Sequence, residues 1–320
     1  MTHAPGLQEP YVCPHCHLDL VQQGSGLECS SCLTIYPADR GIVDFSEGRY
    51  YDAFVDGQGL SQREAAGLEG EVLGARRRTA FYLERLHSEV RGSASVPVRI
   101  LDCGCGNGIA VDLLNQAGVS AWGNDSSALR KWQWRERVYR SRLSVCDSAR
   151  LPFRAGFFGA IICSGLLEHV GVVEQGEPHY EVKVLPGRTA ARIELLRELL
   201  RVLDNAGVLW LDFPNGAFPV DFWHAGAQGI RLHSPWEGFL PRIGEIRSYF
   251  RILAPDFEVK ALSPDGRLQF RQVRRHWYGR LFAPAIERYF RLLSQPWASL
   301  LRKSFLNPYL VLEIRRQAQR

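Results

Sequence analysis

From about residue 96 onward, short solid apolar runs alternate along the chain with apolar stripes at helical spacing. Val96 to Leu101, broken only by Pro97 and Arg99, has the length and content of a buried strand. It stops at Asp102 and passes into three glycines at alternate positions, Gly104, Gly106 and Gly108. A helical stripe follows at once, Ile109, Val111, Leu113 and Leu114, closed by Ala117-Gly118. The alternation then repeats. Val119 to Asp125 reads as a strand and Ala128 to Tyr139 as a helix. Leu143 to Asp147 and Phe157 to Ser164 read as strands, Ala190 to Leu203 as a helix, and Val208 to Phe213 as a fifth strand. Ile243 to Leu253 predicts a helix, and Phe257 to Leu262 and Asn307 to Ile314 predict the last strands. Strands separated by helices of this length predict an α/β domain around a mostly parallel sheet.

Outside that core the pattern weakens. Residues 46 to 95 predict a helical connector in which Phe81, Tyr82, Leu83, Leu86 and Val90 return at helical spacing, ending in a Gly92-Ser93-Ala94-Ser95 linker. Residues 171 to 187, rich in glycine and charge, predict a loop. Composition adds little to this picture. A chain of 320 residues with 46 % hydrophobic and 23 % charged residues has room for one α/β domain plus a small module. The net charge of +5 permits nucleic acid without demanding it. No apolar run approaches the roughly 18 residues of a membrane span, and the first residues carry no secretory pattern.

The cysteines change the picture more. Of the eight, four fall in two CxxC knuckles, Cys13-Pro14-His15-Cys16 and Cys29-Ser30-Ser31-Cys32, twelve residues apart. A secreted disulfide framework spreads its cysteines differently, so the expected setting is reducing and cytoplasmic. Two knuckles at the ends of a hairpin can present four thiolates tetrahedrally, which suits a structural Zn²⁺. The alternatives are two unrelated buried pairs or a redox CxxC. The following Tyr36-Pro37-Ala38-Asp39-Arg40-Gly41-Ile42 resembles the tail of small bacterial zinc-ribbon proteins, a ribbon often found ahead of methyltransferase domains, including ribosomal-RNA guanine methyltransferases.

A strand, a glycine turn and a helix N-terminus let a ligand approach the backbone closely, because no Cβ intervenes. The dinucleotide pattern G-x-G-x-x-G places its third glycine three residues after the second; here it comes two after. Asp102-Cys103-Gly104-Cys105-Gly106-Asn107-Gly108 instead resembles the D-x-G-x-G-x-G motif of class I S-adenosylmethionine-dependent methyltransferases of the type 11 kind. Further stations agree in order. Asp125 closes the second strand 23 residues beyond Asp102, where a carboxylate meets ribose hydroxyls, and Gly123-Asn124-Asp125-Ser126-Ser127 is similar to the family's G-x-D-x-S element. The alternative for Asp125 is the N-cap of the next helix, a task open also to Ser126 or Ser127. Asp147, before Leu151-Pro152-Phe153, stands where the family contacts the adenine amino group. Leu167-Glu168-His169 resembles the family's L-E-H segment, and Arg201-Val202-Leu203 with Gly207 its turn into strand five. Gly159 departs from the acid usual at the start of strand four.

The resemblance implies a Rossmann-like, doubly wound, mostly parallel seven-stranded sheet. It implies S-adenosylmethionine held by Asp102, Gly104, Cys105, Gly106, Gly108, Asp125, Ser126, Asp147, Ser148, Ala149, Ser164 and Leu167, and a structural zinc on Cys13, Cys16, Cys29 and Cys32. The expected organisation is a zinc ribbon over 1–47, a helical connector over 48–95 and the methyltransferase domain over 96–320, with insertions at about 214–241 and 271–306. Between Pro219 and Pro241 the chain is aromatic and proline-punctuated and holds His224 and His233. With His169 these are the candidate catalytic bases, in the order His224, His233, His169; a structural role is the alternative for each. No acid or cysteine cluster accompanies them in sequence, which argues against a metal there. Arg271 to Phe305 carries eight Arg or Lys residues and one acid, Glu287. It is either a lid over the substrate cleft or a basic amphipathic surface for anionic membrane or RNA. The expected acceptor is a small metabolite, glycan or lipid-linked intermediate. A ribosomal- or transfer-RNA methyltransferase using the ribbon to grip RNA, and a non-catalytic binding module of the same fold, remain as alternatives.

Overall fold

The computed structural model describes residues 10–52, 62–90, 98–175, 180–224, 230–268 and 277–317. They form two compact units: Met1–Ile162 with Leu195–Val208, and Cys163–Glu194 with Leu209–Arg320.

The first unit begins with a small antiparallel sheet of β1 (Leu20–Gln23), β2 (Gly26–Cys29) and β3 (Ile35–Tyr36), in that order. β4 (Ala38–Asp39) and β5 (Ile42–Asp44) follow as an antiparallel pair. α1 (Gln62–Val90), β6 (Arg99–Cys103), α2 (Ile109–Gln116), β7 (Ser120–Asp125), α3 (Ala128–Trp134), β8 (Leu143–Val145) and β9 (Phe158–Ser164) complete the βα alternation. β6 and β7 pair in parallel, as do β7 and β8. β9 is buried along almost its whole length, as its solid apolar run requires of a strand covered on both faces. Trp134, Phe153 and Phe158, all fully buried, fill the core around these strands.

The second unit holds β10 (Val172–Gln175) and β11 (Glu181–Val184), an antiparallel hairpin. α4 (Arg188–Val202) and β12 (Leu203–Pro214) follow, both crossing the division between the units. After them come the two-residue strands β13 (Val220–Asp221) and β14 (Arg231–Leu232), α5 (Ile243–Leu253), β15 (Phe257–Leu262), α6 (Trp277–Leu293) and β16 (Tyr309–Arg316). β15 and β16 pair antiparallel over six residues on each strand. Among the described residues no helix is long and apolar enough to cross a membrane.

Three expectations change. Among the described residues of the first unit, β5 pairs in parallel with β8 and brings β4 with it, two short strands that the expected alternation did not include. Ile42 and Val43 are fully buried and apolar, so this segment completes the sheet edge of its own unit. The expected loop at 171–187 contains the β10–β11 hairpin, whose burial alternates residue by residue. The helix expected to reach Tyr139 ends at Trp134, where Asp112 of α2 takes up the next free backbone N–H groups, at Val138 and Tyr139.

Candidate active site

Gly104, Gly106 and Gly108 all have positive φ, 73°, 56° and 73°, the left-handed region that side chains avoid. The turn they make is pinned at both ends of the Gly106 peptide. Its N–H donates to Asp125 Oδ2 at 3.0 Å and its carbonyl accepts from Trp134 Nε1 at 2.8 Å. Gly104 and Cys105 N–H both donate to the Asn124 carbonyl. Asn107 Oδ1 accepts from Ile109 N–H and so caps α2. Asp125 also accepts from Ser127 N–H, while Ser127 is the N-cap of α3, its hydroxyl accepting from Arg130 N–H. Capping therefore falls to Ser127, and Asp125 stays at the glycine turn. Burial pushes the Asp125 carboxyl above the ordinary carboxylate range, opposed by the Gly106 N–H and the Arg130 guanidinium. Burial also raises the Cys105 thiol far above its usual range, with Asp102 and Asp125 adding to it. Cys105 is thus a neutral wall of the turn.

The connector supplies charges that the sequence did not single out. Arg78 donates to Asp102 at 3.0 Å, and Asp102 is fully buried. Glu71 receives a two-pronged contact from Arg130 and one from Asn107 Nδ2. Asp52 accepts from Ala128 and Leu129 N–H and from the Ser127 hydroxyl, a second cap on α3. Asp147 is exposed and accepts from Ala149 N–H at 2.9 Å; Ser148 accepts from Asn124 Nδ2. The Ser126 carbonyl accepts from Tyr51 N–H. Asp102 to Asp147 and their neighbours thus gather in the first unit, whereas Ser164 and Leu167 belong to the second. Ser164 is buried there, donating to Asp212 and accepting from Arg267 at 2.5 Å; Leu167 is buried.

The four knuckle cysteines come together in the first unit. Cys13 Sγ lies 3.6 Å from Cys32 and 3.4 Å from Cys16, and Cys16 lies 3.4 Å from Cys29. A zinc with bonds of about 2.3 Å needs tetrahedral edges of about 3.8 Å, so the thiols stand within a few tenths of an ångström of that shape.

In the second unit Glu168, His169 and His224 converge, with one candidate ligand atom of each within 4.8 Å of the others. The rings of His169 and His224 are 5.2 Å apart, and Phe239 packs 5.0 Å from His224. The expectation that no acid accompanies these histidines is corrected: Glu174 lies 2.5 Å from His169 Nδ1 and Asp221 2.8 Å from His224 Nδ1. Burial by itself would lower His169, but the Glu174 carboxylate and Glu168 outweigh it and raise it. Burial raises Glu174 and Asp221, and the imidazole each one faces overcomes that, leaving both below the usual range. Burial lifts Glu168. Fully buried Arg192 of α4 braces the cluster by donating to the carbonyls of Glu168 and Phe239. His233 stands outside it, with Nδ1 3.3 Å from the Ser234 carbonyl, and burial lowers it. Of the basic segment, Trp277, Trp297, Leu300 and Phe305 are exposed.

Residues 101–211 match the model of a family described as a methyltransferase domain. The matched stretch runs from β6 into β12, through the βα alternation that holds the glycine turn. No curated protein matches the chain in sequence. Similar solved structures include a putative sarcosine dimethylglycine methyltransferase from Galdieria sulphuraria, 16 % identical, covering 72 % of this chain and 84 % of that one with a TM-score of 0.40. The CcbJ methyltransferase from Streptomyces caelestis is 12 % identical, with 75 % and 94 % covered and a TM-score of 0.43. A TehB-like methyltransferase from Corynebacterium glutamicum is 13 % identical, with 75 % and 98 % covered and a TM-score of 0.39.

Proposed function

We propose that the protein transfers a methyl group from S-adenosylmethionine to an oxygen or nitrogen acceptor on a small metabolite, glycan or lipid-linked intermediate. The observation that carries this reading is the pinned glycine turn with Asp125 at its side. A Cβ built on Gly106 meets nothing nearer than Arg130 Nε at 4.0 Å, so a ligand has room against the backbone there. Asp125 spends one acceptor site on each oxygen and keeps one more on each for vicinal ribose hydroxyls. Arg78 and Asp102 offer opposite charges to the ligand's zwitterionic amino-acid end. When bound, the cofactor supplies a methyl group on a sulfonium that leaves readily. The chain's own task is then to align the acceptor, exclude water and loosen the acceptor's proton. The candidate bases for that last task are His224 first, then His233 and His169. Asp221 holds His224 by Nδ1 and leaves Nε2 to meet the acceptor. We assign a structural Zn²⁺ to Cys13, Cys16, Cys29 and Cys32.

A thermal-shift comparison tests the cofactor. S-adenosylhomocysteine should raise the melting temperature and NADH should not, since only a ligand of the native state stabilises it. No shift with S-adenosylhomocysteine would refute the reading. Labelled cofactor incubated with fractionated cell extract tests the acceptor. Label in the metabolite, glycan or lipid fraction is expected, and label in RNA would move the assignment to an RNA methyltransferase.

A further inference from the structure

His169 and His224 are held in the same way, each by a carboxylate at Nδ1. An ionised carboxylate only accepts, so each Nδ1 carries a proton, and a ring in its neutral form keeps its lone pair on Nε2. Neither carboxylate is loose. The Tyr180 hydroxyl donates to the other oxygen of Glu174, and the N–H groups of Trp223 and His224 donate to Asp221 Oδ1. Carboxylates that fix imidazoles by their far nitrogen are the usual outer support of a metal-binding histidine.

The third member of the cluster is Glu168, 1 % exposed. Its Oε1 is 4.0 Å from His224 Nε2, and among the described residues no hydrogen bond reaches its Oε2. A buried carboxylate oxygen with no partner is costly, so it calls for a compensating charge. Donor atoms around one first-row ion, at about 2.1 Å each, lie about 3–3.5 Å apart. One donor atom of each residue lies within 4.8 Å of the others, so rotations of about 1 Å at the side-chain tips would bring the three to that spacing. His169 keeps 28 % of its side chain exposed, which gives an ion a way in.

We propose that Glu168, His169 and His224 form a binding site for a divalent first-row metal ion, with Glu174 and Asp221 setting the two imidazoles. Two nitrogens and one carboxylate suit Mn²⁺, Fe²⁺ or Zn²⁺ better than Ca²⁺ or Mg²⁺, which favour all-oxygen sets. Three protein ligands leave at least one position open, unlike the closed four-thiolate set. With an ion bound, His169 and His224 would be ligands and not bases, so the ion would take over the activation assigned above to His224. That use rests on the methyl-transfer reading; ion binding does not.

The test is a titration of the full chain, as purified, with Mn²⁺ followed by electron paramagnetic resonance of the free ion. Mn²⁺ is chosen because thiolates bind it poorly, so the cysteine knuckles stay silent. Saturable loss of signal at one ion per chain is expected. Glu168→Gln should weaken binding at least tenfold, and Glu174→Gln by about 10- to 100-fold although it never touches the ion. An unchanged free signal in the wild type at millimolar ion, or equal affinity in Glu168→Gln and His224→Gln, would overturn the proposal. S-adenosylhomocysteine affinity, measured on the same preparation, keeps the two readings apart. Cofactor binding without Mn²⁺ binding sinks only the metal site; the reverse sinks only the methyl-transfer reading.

Discussion

Replacing Asp125 by Ala tests the cofactor assignment most directly. The carboxylate makes two backbone hydrogen bonds, to Gly106 N–H at 3.0 Å and to Ser127 N–H at 3.1 Å. Its four acceptor sites therefore leave two for ribose hydroxyls. A hydrogen bond to a charged group contributes about 1.5–3 kcal/mol. The loss of even one such bond to the ligand should weaken S-adenosylhomocysteine by about tenfold or more. The same change unties the glycine turn at Gly106 N–H, so the variant should also lose about 1 kcal/mol of stability in urea. Asp125→Asn keeps the shape and one acceptor oxygen, and should fall between wild type and Asp125→Ala in affinity. Isothermal titration calorimetry reads the affinity, and circular dichroism checks that each variant is folded. A folded Asp125→Ala protein that binds S-adenosylhomocysteine as tightly as wild type would refute the ribose assignment. The carboxylate would then be only an anchor for the turn.

Three further outcomes follow from the same unit. Gly108→Ala should destabilise by about 2–4 kcal/mol, because φ is +73° and the new Cβ would stand 2.9 Å from Leu143 Cδ1 and 3.1 Å from Trp134 Cδ1; a urea midpoint equal to wild type would contradict this. Asp44 is lowered below its ordinary value: burial raises it, and Lys131 at 2.5 Å, Ser46 and Tyr50 outweigh that. A depressed carboxylate contributes stability above its unfolded value that is lost as pH falls through the folded one. Asp44→Asn should therefore cost about 1–2 kcal/mol at pH 7, with the gap to wild type shrinking below about pH 4; a gap independent of pH between 7 and 3.5 would exclude the linkage. Elemental analysis of protein purified without chelator should find zinc, and Cys29→Ser should lose one equivalent per chain; a variant that keeps the wild-type zinc content would exclude the four-thiolate site.

The first unit was legible because its signals are local. A solid apolar run, a glycine turn and a helical stripe lie in one stretch from residue 99 to 116, and the fold keeps them in that order. Ser127 and Asp125, two candidates for one cap, were separable only in three dimensions: the hydroxyl of Ser127 faces Arg130 N–H, and the carboxylate of Asp125 turns back to Gly106. The partners from the connector were invisible for a physical reason. Asp52, Glu71 and Arg78 lie 24 or more positions before the residues they support, in a stretch with few apolar markers. A charged residue on a helix reads as solvated until the helix is seen to lay it against an opposite charge. The extra strands went unseen because β4 and β5 have only two and three residues, too short to show a period.

The second unit hid its cluster more thoroughly, and the manner of hiding explains why the histidines were met in sequence without their acids. Glu174 sits in a four-residue strand of two valines and two polar residues, a pattern that composition assigns to a loop. Once it is a strand, residues 172 and 174 share a face by the two-residue period, and Glu174 turns toward His169. Asp221 and His224 are three apart in an irregular turn, where a carboxylate can take the N–H groups of the next residues and the imidazole together; no periodic rule announces that. Glu168 and His169 are adjacent and both reach the cluster because they stand in a single tight 3-10 turn after β9, whose side chains do not alternate as a strand's do. The histidines therefore fall into two kinds. His169 and His224 each have a carboxylate at Nδ1 and each other as neighbours, whereas the Nδ1 of His233 faces the backbone carbonyl of Ser234. A lone imidazole can take a proton; two imidazoles gathered beside a buried carboxylate can share an ion.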